Sequence, residues 1–190
     1  MLNPPVLIEG VRVRLKRAQP DDAATLFALV DDAEVMRFMD WPRAAGVAET
    51  RAHLEGAARR WDAGTEHQYL VIDKASGAAV GSIAFRPHGH AVDFGYLVGR
   101  PFWGQGLGTE AATLLLGWLR RQAGVIRIWA TCDADNARSA AVLIRAGLQF
   151  EGRMRRATLR PNLGPAAQDN PRDTLLYAWV REAEPKELSA

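Results

Sequence analysis

Residues 95–111, GYLVGRPFWGQGLGTEA, place a glycine-dense turn between a strand-like run and an amphipathic helix. Glycines at positions 104, 106 and 108 allow successive backbone N–H groups to converge on one point, and the helix start adds the positive end of its dipole. Such a turn suits a pyrophosphate, although a helix-entry loop that needs glycine for steric reasons has the same spacing. It is not a Walker loop, because no Gly-Lys-Ser/Thr follows. Nor does it follow the first strand of a repeated βαβ unit, as a dinucleotide fingerprint does.

Apolar periodicity predicts the elements that come after this turn. Ala112, Leu115, Leu116 and Leu119 recur at helical spacing, so a helix is expected to end near Gly124. The remaining predictions are a strand at 126–132, a helix with Asn136 as its N-cap that ends at 146–147, a strand at 150–156, a proline-containing loop at 160–172 and a strand at 174–180.

The residues before the turn also alternate between strand and helix patterns. Strands are expected at 11–15, 69–73, 79–85 and 91–98, and helices at 20–30, 34–39 and 47–61. This element order predicts one α/β (α+β) domain over residues 1–182, built on a mixed central sheet of about seven strands flanked by helices. Residues 183–190 are expected to be a disordered tail.

Composition excludes several classes of protein. The chain has 190 residues, of which 48% are hydrophobic and 24% charged, so it is not a disordered, collagenous or disulfide-framework chain. A formal charge of +2 gives little reason to expect nucleic-acid binding. The single cysteine, Cys132, has no partner for a disulfide, and no Cys/His cluster predicts a metal site. The absence of a signal-like start and of a membrane-length apolar run predicts a cytoplasmic protein.

The motif at 95–111 resembles the acetyl-CoA motif of the GNAT N-acetyltransferases, in particular the branch that includes the ribosomal-protein N-terminal acetyltransferases. The similarity continues in NARS at 136–139, AGLQFEG at 146–152 and RDTLLY at 172–177, and it spans roughly residues 11–180. Most members of the wider superfamily carry arginine or glutamine where this chain has Trp103, whereas tryptophan is common in this branch. The resemblance implies the GNAT fold.

It also implies direct transfer of an acetyl group from acetyl-CoA to a primary amine, on a peptide or small molecule, within a ternary complex and without a metal. The strands at 93–98 and 126–132 would splay, and the pantetheine arm would lie between them. Backbone groups of Leu97 and Val98 would bind that arm or polarise the thioester. The N–H groups that would bind the pyrophosphate belong to Gln105, Gly106, Leu107, Gly108 and Thr109.

Two residues of the following helix have both a structural and a functional interpretation. Asn136 caps the helix in one interpretation and, by resemblance, also contacts the coenzyme near the pantetheine. Ser139 lies one turn later. It is either a polar residue of the first helical turn or the acid that protonates the departing thiolate, as a serine is proposed to do in this branch.

The sequence offers several candidates for the general base. Asp93 lies where this branch often has an acidic residue, and it is either the base or a surface aspartate at a sheet edge. His88, and His90 beside it, lie in the preceding turn and are substrate-site candidates or solvated side chains. Trp41, between the early helices, is a candidate wall of the acceptor site.

Two further hypotheses compete with the enzyme. A non-catalytic acyl-CoA-binding or sensing module would keep the turn without acceptor chemistry. The arginines at 153, 155, 156 and 160 form one dense basic patch, which is either a solvated strand end or a contact for an acidic partner such as RNA. A monomer or homodimer is expected, and the fold does not decide among amine acceptors.

Overall fold

The computed structural model describes residues 2–164, 167 and 169–182. Within them, eight strands form one sheet in the order β1-β2-β3-β4-β5-β6-β8-β7. The strands are β1 (Leu7–Glu9), β2 (Val13–Arg17), β3 (His67–Asp73), β4 (Ala79–His88), β5 (Ala91–Val98), β6 (Arg127–Asp133), β7 (Gln149–Thr158) and β8 (Arg172–Val180). The helices are α1 (Ala23–Val30), α2 (Ala33–Met36), α3 (Val47–Asp62), α4 (Leu107–Arg120) and α5 (Ala137–Arg145).

The predicted mixed sheet flanked by helices is confirmed, with one strand more than the sequence patterns indicated. The extra strand, β1, has only three residues, of which Ile8 alone is buried, so its alternation is too short to stand out. The strand expected at 11–15 begins instead at Val13, because Gly10 N–H donates to Val13 C=O and closes the β1–β2 turn. Val11 is therefore exposed. The predicted tail at 183–190 lies outside the described residues.

Helices cover both faces of the sheet. Helix α4 buries its apolar stripe completely against one face, where Leu115, Leu116 and Leu119 meet Phe85 and Ile128. Burying each of these side chains stabilises the fold by about 1.5–3 kcal/mol. Helices α1 to α3 pack on the opposite face, in a second apolar cluster. None of the described helices is both long and apolar enough to cross a membrane.

The centre of the sheet contains its one parallel pair among the described residues. Strands β5 and β6 run side by side through three residue pairs, which end at Asp93 and Trp129. On their outer sides β5 pairs with β4 and β6 pairs with β8 along their lengths. Both strands are therefore held in the sheet, although they are joined to each other at one end only.

A buried histidine lies beside the C-terminal end of helix α3. His67 is 1% exposed, its ring packs against Trp61 and Phe85, and neither ring nitrogen has a hydrogen-bond partner. Burial lowers the pKa of His67 to about 4. The nearby charge of Arg17 acts in the same direction, and that of Glu66 acts against it. The folded protein therefore holds this imidazole neutral.

We expect acid to destabilise the protein through His67. An unfolded chain binds a proton at this residue below about pH 6.5, whereas the folded chain does so only near pH 4, so stability falls as the pH drops through this window. Between pH 7 and pH 5 the loss is about 2 kcal/mol. Urea unfolding at both pH values checks this.

His67→Leu should reduce that loss, and His90→Gln, at an exposed position, is the matched control. Equal pH dependence in the parent protein and in His67→Leu would contradict the prediction.

Candidate functional site

A wedge-shaped gap opens between β5 and β6. Beyond the Asp93–Trp129 pair, no backbone pair of the described chain joins the two strands, although β5 continues to Val98 and β6 to Asp133. The strands therefore splay, as the resemblance predicted.

Strand register determines which backbone groups of β5 face this gap. Hydrogen-bonded and non-hydrogen-bonded pairs alternate along an antiparallel ladder, and the Gly99 N–H donates to Val80 C=O at 2.9 Å. The pair Ser82–Leu97 is thus hydrogen-bonded, so the Leu97 backbone points toward β4 and away from the gap. Phe94, Tyr96 and Val98 present their backbone groups to the gap instead. The Val98 C=O accepts a hydrogen bond from Trp103 Nε1 at 2.7 Å.

The glycine-rich turn leads directly from β5 to the N-terminus of α4. Gly106 is the N-cap and has a left-handed backbone (φ 78°), which glycine adopts without a steric penalty. Gly108 allows the helix to approach β5, since a Cβ there would lie 2.9 Å from Val98 Cγ2. The first N–H groups of a helix have no intrahelical acceptor. Gln105 and Thr109, with the three residues between them, therefore supply a set of N–H donors suited to an anion.

Arg12 lies beside this turn, although no sequence pattern singled it out. Its guanidinium donates to Glu110 Oε2 at 2.7 Å and to Gln105 C=O at 3.0 Å, and it lies close to Gly106. Although burial acts to raise the pKa of Glu110, hydrogen bonds from Arg12 and Val13 hold it below the ordinary value. These contacts fasten the β1–β2 turn to α4 and bring a positive charge to the edge of the N–H donors.

Two hydroxyl groups meet where α5 approaches β5. Ser139 Oγ and Tyr96 Oη are 2.9 Å apart, and Cys132 lies on the neighbouring strand β6. Burial raises the pKa of the Tyr96 hydroxyl above its ordinary value and that of the Cys132 thiol to about 11. The Tyr96 hydroxyl and the Cys132 thiol are therefore protonated near neutral pH. The sequence motif contains Tyr96, but only the folded chain brings it to Ser139.

Asn136 has the structural role that its position predicted. Its side-chain oxygen accepts a hydrogen bond from the Ser139 N–H at 3.1 Å, which caps α5. This contact also fixes the backbone that carries the Ser139 hydroxyl.

The structure does not bring Asp93 and Ser139 together. Asp93 faces the α1–α3 side of the sheet, whereas Tyr96, which contacts Ser139, faces the α4 side, about 10 Å further along the strand. Asp93 is buried in the sheet centre, so it is not the surface residue of the alternative interpretation. Its carboxylate accepts hydrogen bonds from Arg86 Nε at 3.0 and 3.2 Å and contacts His88 Nε2 at 2.6 Å. His88 thus belongs to the group of side chains that contact the Asp93 carboxylate.

Two segments far apart in sequence meet near the α2–α3 connection, which contains Trp41. The Asn162 side chain donates to the carbonyl groups of Trp41 at 2.8 Å and Met36 at 2.9 Å, and it accepts from the Arg43 N–H at 3.0 Å. The Trp41 side chain remains about half exposed. Asn162, which the sequence analysis did not select, therefore ties the β7–β8 connection to the segment that carries Trp41.

The predicted arginine patch is not one continuous surface. Arg153 pairs with Asp173 on the neighbouring strand at 2.7 Å. Arg160, in contrast, is buried, and its Nε lies 3.5 Å from the carboxylate of Asp133. Because one member turns inward, the interpretation of all four arginines as a solvated strand end is wrong. Among the described residues, no group of three His, Cys, Asp or Glu side chains has the arrangement of a metal site.

The family model described as an acetyltransferase (GNAT) domain matches residues 12–149. The chain belongs to the GNAT acetyltransferase family. The match covers the gap, the N-terminus of α4 and α5, so the geometry above is that of a GNAT acetyltransferase.

Curated bacterial relatives agree with this assignment. The uncharacterized N-acetyltransferase p20 of Bacillus licheniformis is 26% identical over 148 residues, which cover 76% of this chain and 83% of the relative. The uncharacterized N-acetyltransferase YoaA of Bacillus subtilis is 22% identical over 182 residues, covering 94% and 98% of the two chains.

Solved structures share the GNAT fold along nearly the whole chain. RimL, a ribosomal L7/L12 alpha-N-protein acetyltransferase in complex with coenzyme A, superimposes with a TM-score of 0.80 at 24% identity, covering 92% of this chain and 97% of RimL. The microcin C7 self-immunity acetyltransferase MccE, in complex with acetyl-CoA and AMP, has a TM-score of 0.79 at 20% identity, covering 90% and 94%. Ribosomal-protein acetyltransferases are thus among the structural neighbours, in agreement with the resemblance.

We expect Gly106→Glu to abolish coenzyme binding. The new side chain would meet Arg12 and bring a negative charge among the N–H donors, in a backbone conformation that disfavours side chains. Stabilisation by coenzyme A in a thermal-shift assay should disappear in the variant.

Gly89→Glu is the matched control. It adds the same charge at φ 66° in open space, at the β4–β5 turn. Coenzyme affinity that survives in a folded Gly106→Glu protein would contradict the predicted site.

Proposed function

We propose that this GNAT enzyme acetylates a primary amine, on a protein N-terminus or a small molecule, by direct attack on acetyl-CoA in a ternary complex. The observation that carries the proposal is the gap between β5 and β6, which has N–H donors at its end and the Tyr96–Ser139 hydroxyl pair at its side. RimL and MccE, whose structures hold coenzyme A and acetyl-CoA, support the choice of cosubstrate.

The N–H groups from Gln105 to Thr109 would hold the pyrophosphate, with Arg12 adding positive charge nearby. Of the two β5 residues predicted to contact the pantetheine arm, Val98 fits that role, whereas Leu97 points its backbone to β4. In the proposal the backbone of Tyr96, which faces the gap, contacts the pantetheine arm instead of Leu97. Asn136 would then act by holding Ser139. Acetyl-CoA supplies the activated thioester when it is bound.

Proton transfer in the proposed reaction uses the hydroxyl pair. The amine nitrogen forms a bond to the acetyl carbon, the carbon–sulfur bond breaks, and Ser139 Oγ–H gives its proton to the thiolate. Tyr96, whose hydroxyl is protonated, can restore that proton across the 2.9 Å contact and regains its own from solvent when coenzyme A leaves. Direct transfer is favoured over an acetyl-cysteine intermediate, because a Cys132 thiol with a pKa of about 11 is a poor nucleophile near neutral pH.

Asp93 takes no part in the proposed proton abstraction, because its carboxylate contacts Arg86 and His88 on the face of the sheet opposite Ser139. An α-amino group has a pKa of about 7.7–8.0, so a useful fraction is already neutral near pH 7.5 and solvent can accept the second proton.

The rate should therefore follow the ionisation of the acceptor. We expect kcat/KM to rise tenfold per pH unit below the pKa of the acceptor amine and to level off above it. For two acceptors with different amine pKa values, the pH profiles of kcat/KM should be displaced from each other by the difference between those pKa values. Profiles that coincide would instead reveal a base on the enzyme.

One assay tests the proposed reaction against the non-catalytic acyl-CoA-binding module that the sequence left open. Measuring coenzyme A release with a thiol reagent and a panel of amines separates the two. Steady release with any amine supports the enzyme, and binding of acetyl-CoA without release from any amine supports the module.

We expect Ser139→Ala to lower kcat by about 10²-fold or more if its hydroxyl is the acid. Coenzyme affinity should change little, because the N–H donors lie elsewhere. The measurement is kcat at saturating acetyl-CoA, with affinity from thermal shift.

Tyr96→Phe is the companion variant, since it removes only the second hydroxyl and should also lower kcat. If Ser139 has only a structural role, Ser139→Ala should lower stability by at most about 1 kcal/mol and leave kcat within a fewfold of the parental value.

A further inference from the structure

A buried guanidinium lies beside the end of β6, where the gap opens. Arg160 follows β7, and its side chain is 6% exposed. Its Nε is 3.5 Å from Oδ2 of Asp133, the last residue of β6. The reaction described above does not use this side chain.

The Asp133 carboxylate is already occupied by other donors. Its Oδ2 accepts from Arg172 Nε at 2.8 Å, while Oδ1 accepts from the Asp135 N–H at 3.0 Å and from Arg172 at 3.2 Å. Although burial acts to raise the pKa of Asp133, these contacts hold it below the ordinary value. Asp133 therefore remains charged, with Arg172 as its hydrogen-bonded partner.

Arg160 contacts this carboxylate only through the longer ion pair at its Nε. That Nε is fully buried and makes no hydrogen bond, and the terminal nitrogens make none to another described residue. A guanidinium carries five N–H donors, and burying a charged donor without an acceptor is costly. A bound anion would offset that cost.

Arg160 also borders the gap. Asp133, its ion-pair partner, follows the stretch of β6 that is paired with β5 and that ends at Trp129, so Arg160 lies at the end of the sheet where the two strands separate. Asp133 is on the same face of β6 as Trp129, which is the α1–α3 face.

The position of Arg160 is held by the turn that follows it. The Leu163 N–H donates to Arg160 C=O at 3.1 Å, and Asn162 is bonded to the segment that carries Trp41. This turn therefore joins the β7–β8 connection to the α2–α3 connection, which contains Trp41.

We infer that Arg160 binds a carboxylate of the acceptor, so the substrates are primary amines that carry a carboxylate. The inference rests on the proposed amine acetylation and names its substrate class. A planar guanidinium suits a carboxylate, which can accept from two N–H groups at once. Nε lies against Asp133, and the terminal nitrogens remain for the ligand.

Matched acceptor pairs test the preference. Comparing alanine with alaninamide tests whether the enzyme binds a free α-carboxylate. Comparing Ala-Asp-amide with Ala-Asn-amide tests whether it binds the carboxylate of an acidic second residue. We expect the carboxylate member of at least one pair to have a kcat/KM at least about tenfold higher, the range of a charge-assisted hydrogen bond. Equal values within both pairs would overturn the inference.

The role of Arg160 is tested on the same pairs. Arg160→Gln should bring the ratio close to one, and Arg160→Lys, which keeps the charge without the planar fork, should retain part of it. Arg155→Gln removes an exposed arginine of the same segment and should keep the parental ratio. A ratio that survives in folded Arg160→Gln, or that is undiminished in Arg160→Lys, would also overturn the inference.

A binding readout separates this inference from the proposed function. Calorimetry with N-acetylalanine and N-acetylalaninamide, in the presence of coenzyme A, needs no turnover. Tighter binding of N-acetylalanine that is lost in Arg160→Gln supports the carboxylate site even if no amine releases coenzyme A. Equal binding within this pair and within the corresponding pair of N-acetylated Ala-Asp-amide and Ala-Asn-amide overturns it, whereas failure of amine acetylation is detected by the coenzyme A release assay alone.

Discussion

The parallel ladder between β5 and β6 ends after three residue pairs, which leaves two central strands with unpaired inner edges. Unpaired backbone groups inside a protein need a ligand or water as partner. The outer edges stay paired with β4 and β8, so each strand is held in place while the gap between them remains open. The backbone N–H donors and the Tyr96–Ser139 hydroxyl pair of the candidate site all lie along this gap.

Three separate segments supply those components. The β5–α4 turn brings backbone N–H groups to the end of the gap, and Glu110 anchors Arg12 beside them. Helix α5, capped by Asn136, brings Ser139 to Tyr96 on β5. Because each segment leaves a strand of the same sheet, the sheet sets their relative positions more strictly than loops would.

The proposed acceptor side is built by contacts between residues that are more distant in the chain. Asn162 joins the β7–β8 connection to the segment at 36–43, and the turn before it carries Arg160 inward to Asp133. In the proposed site the pyrophosphate is held by backbone groups, whereas the acceptor is contacted by individual side chains. Glycine spacing in the sequence indicates the first, but not which side chains meet at the second.

The amino-acid sequence alone determined the order of the elements other than the short β1, since the periods of helices and strands are local. It also located the turn around Gly106, because a left-handed backbone favours glycine. Only the tertiary structure decided that Asp93 is ion-paired, that the Leu97 backbone faces β4, that Tyr96 meets Ser139 and that Arg160 is buried. These features depend on strand register and on contacts between residues that are distant in the chain. A local pattern shows that a residue is charged or lies on a strand, but not which group will lie opposite it.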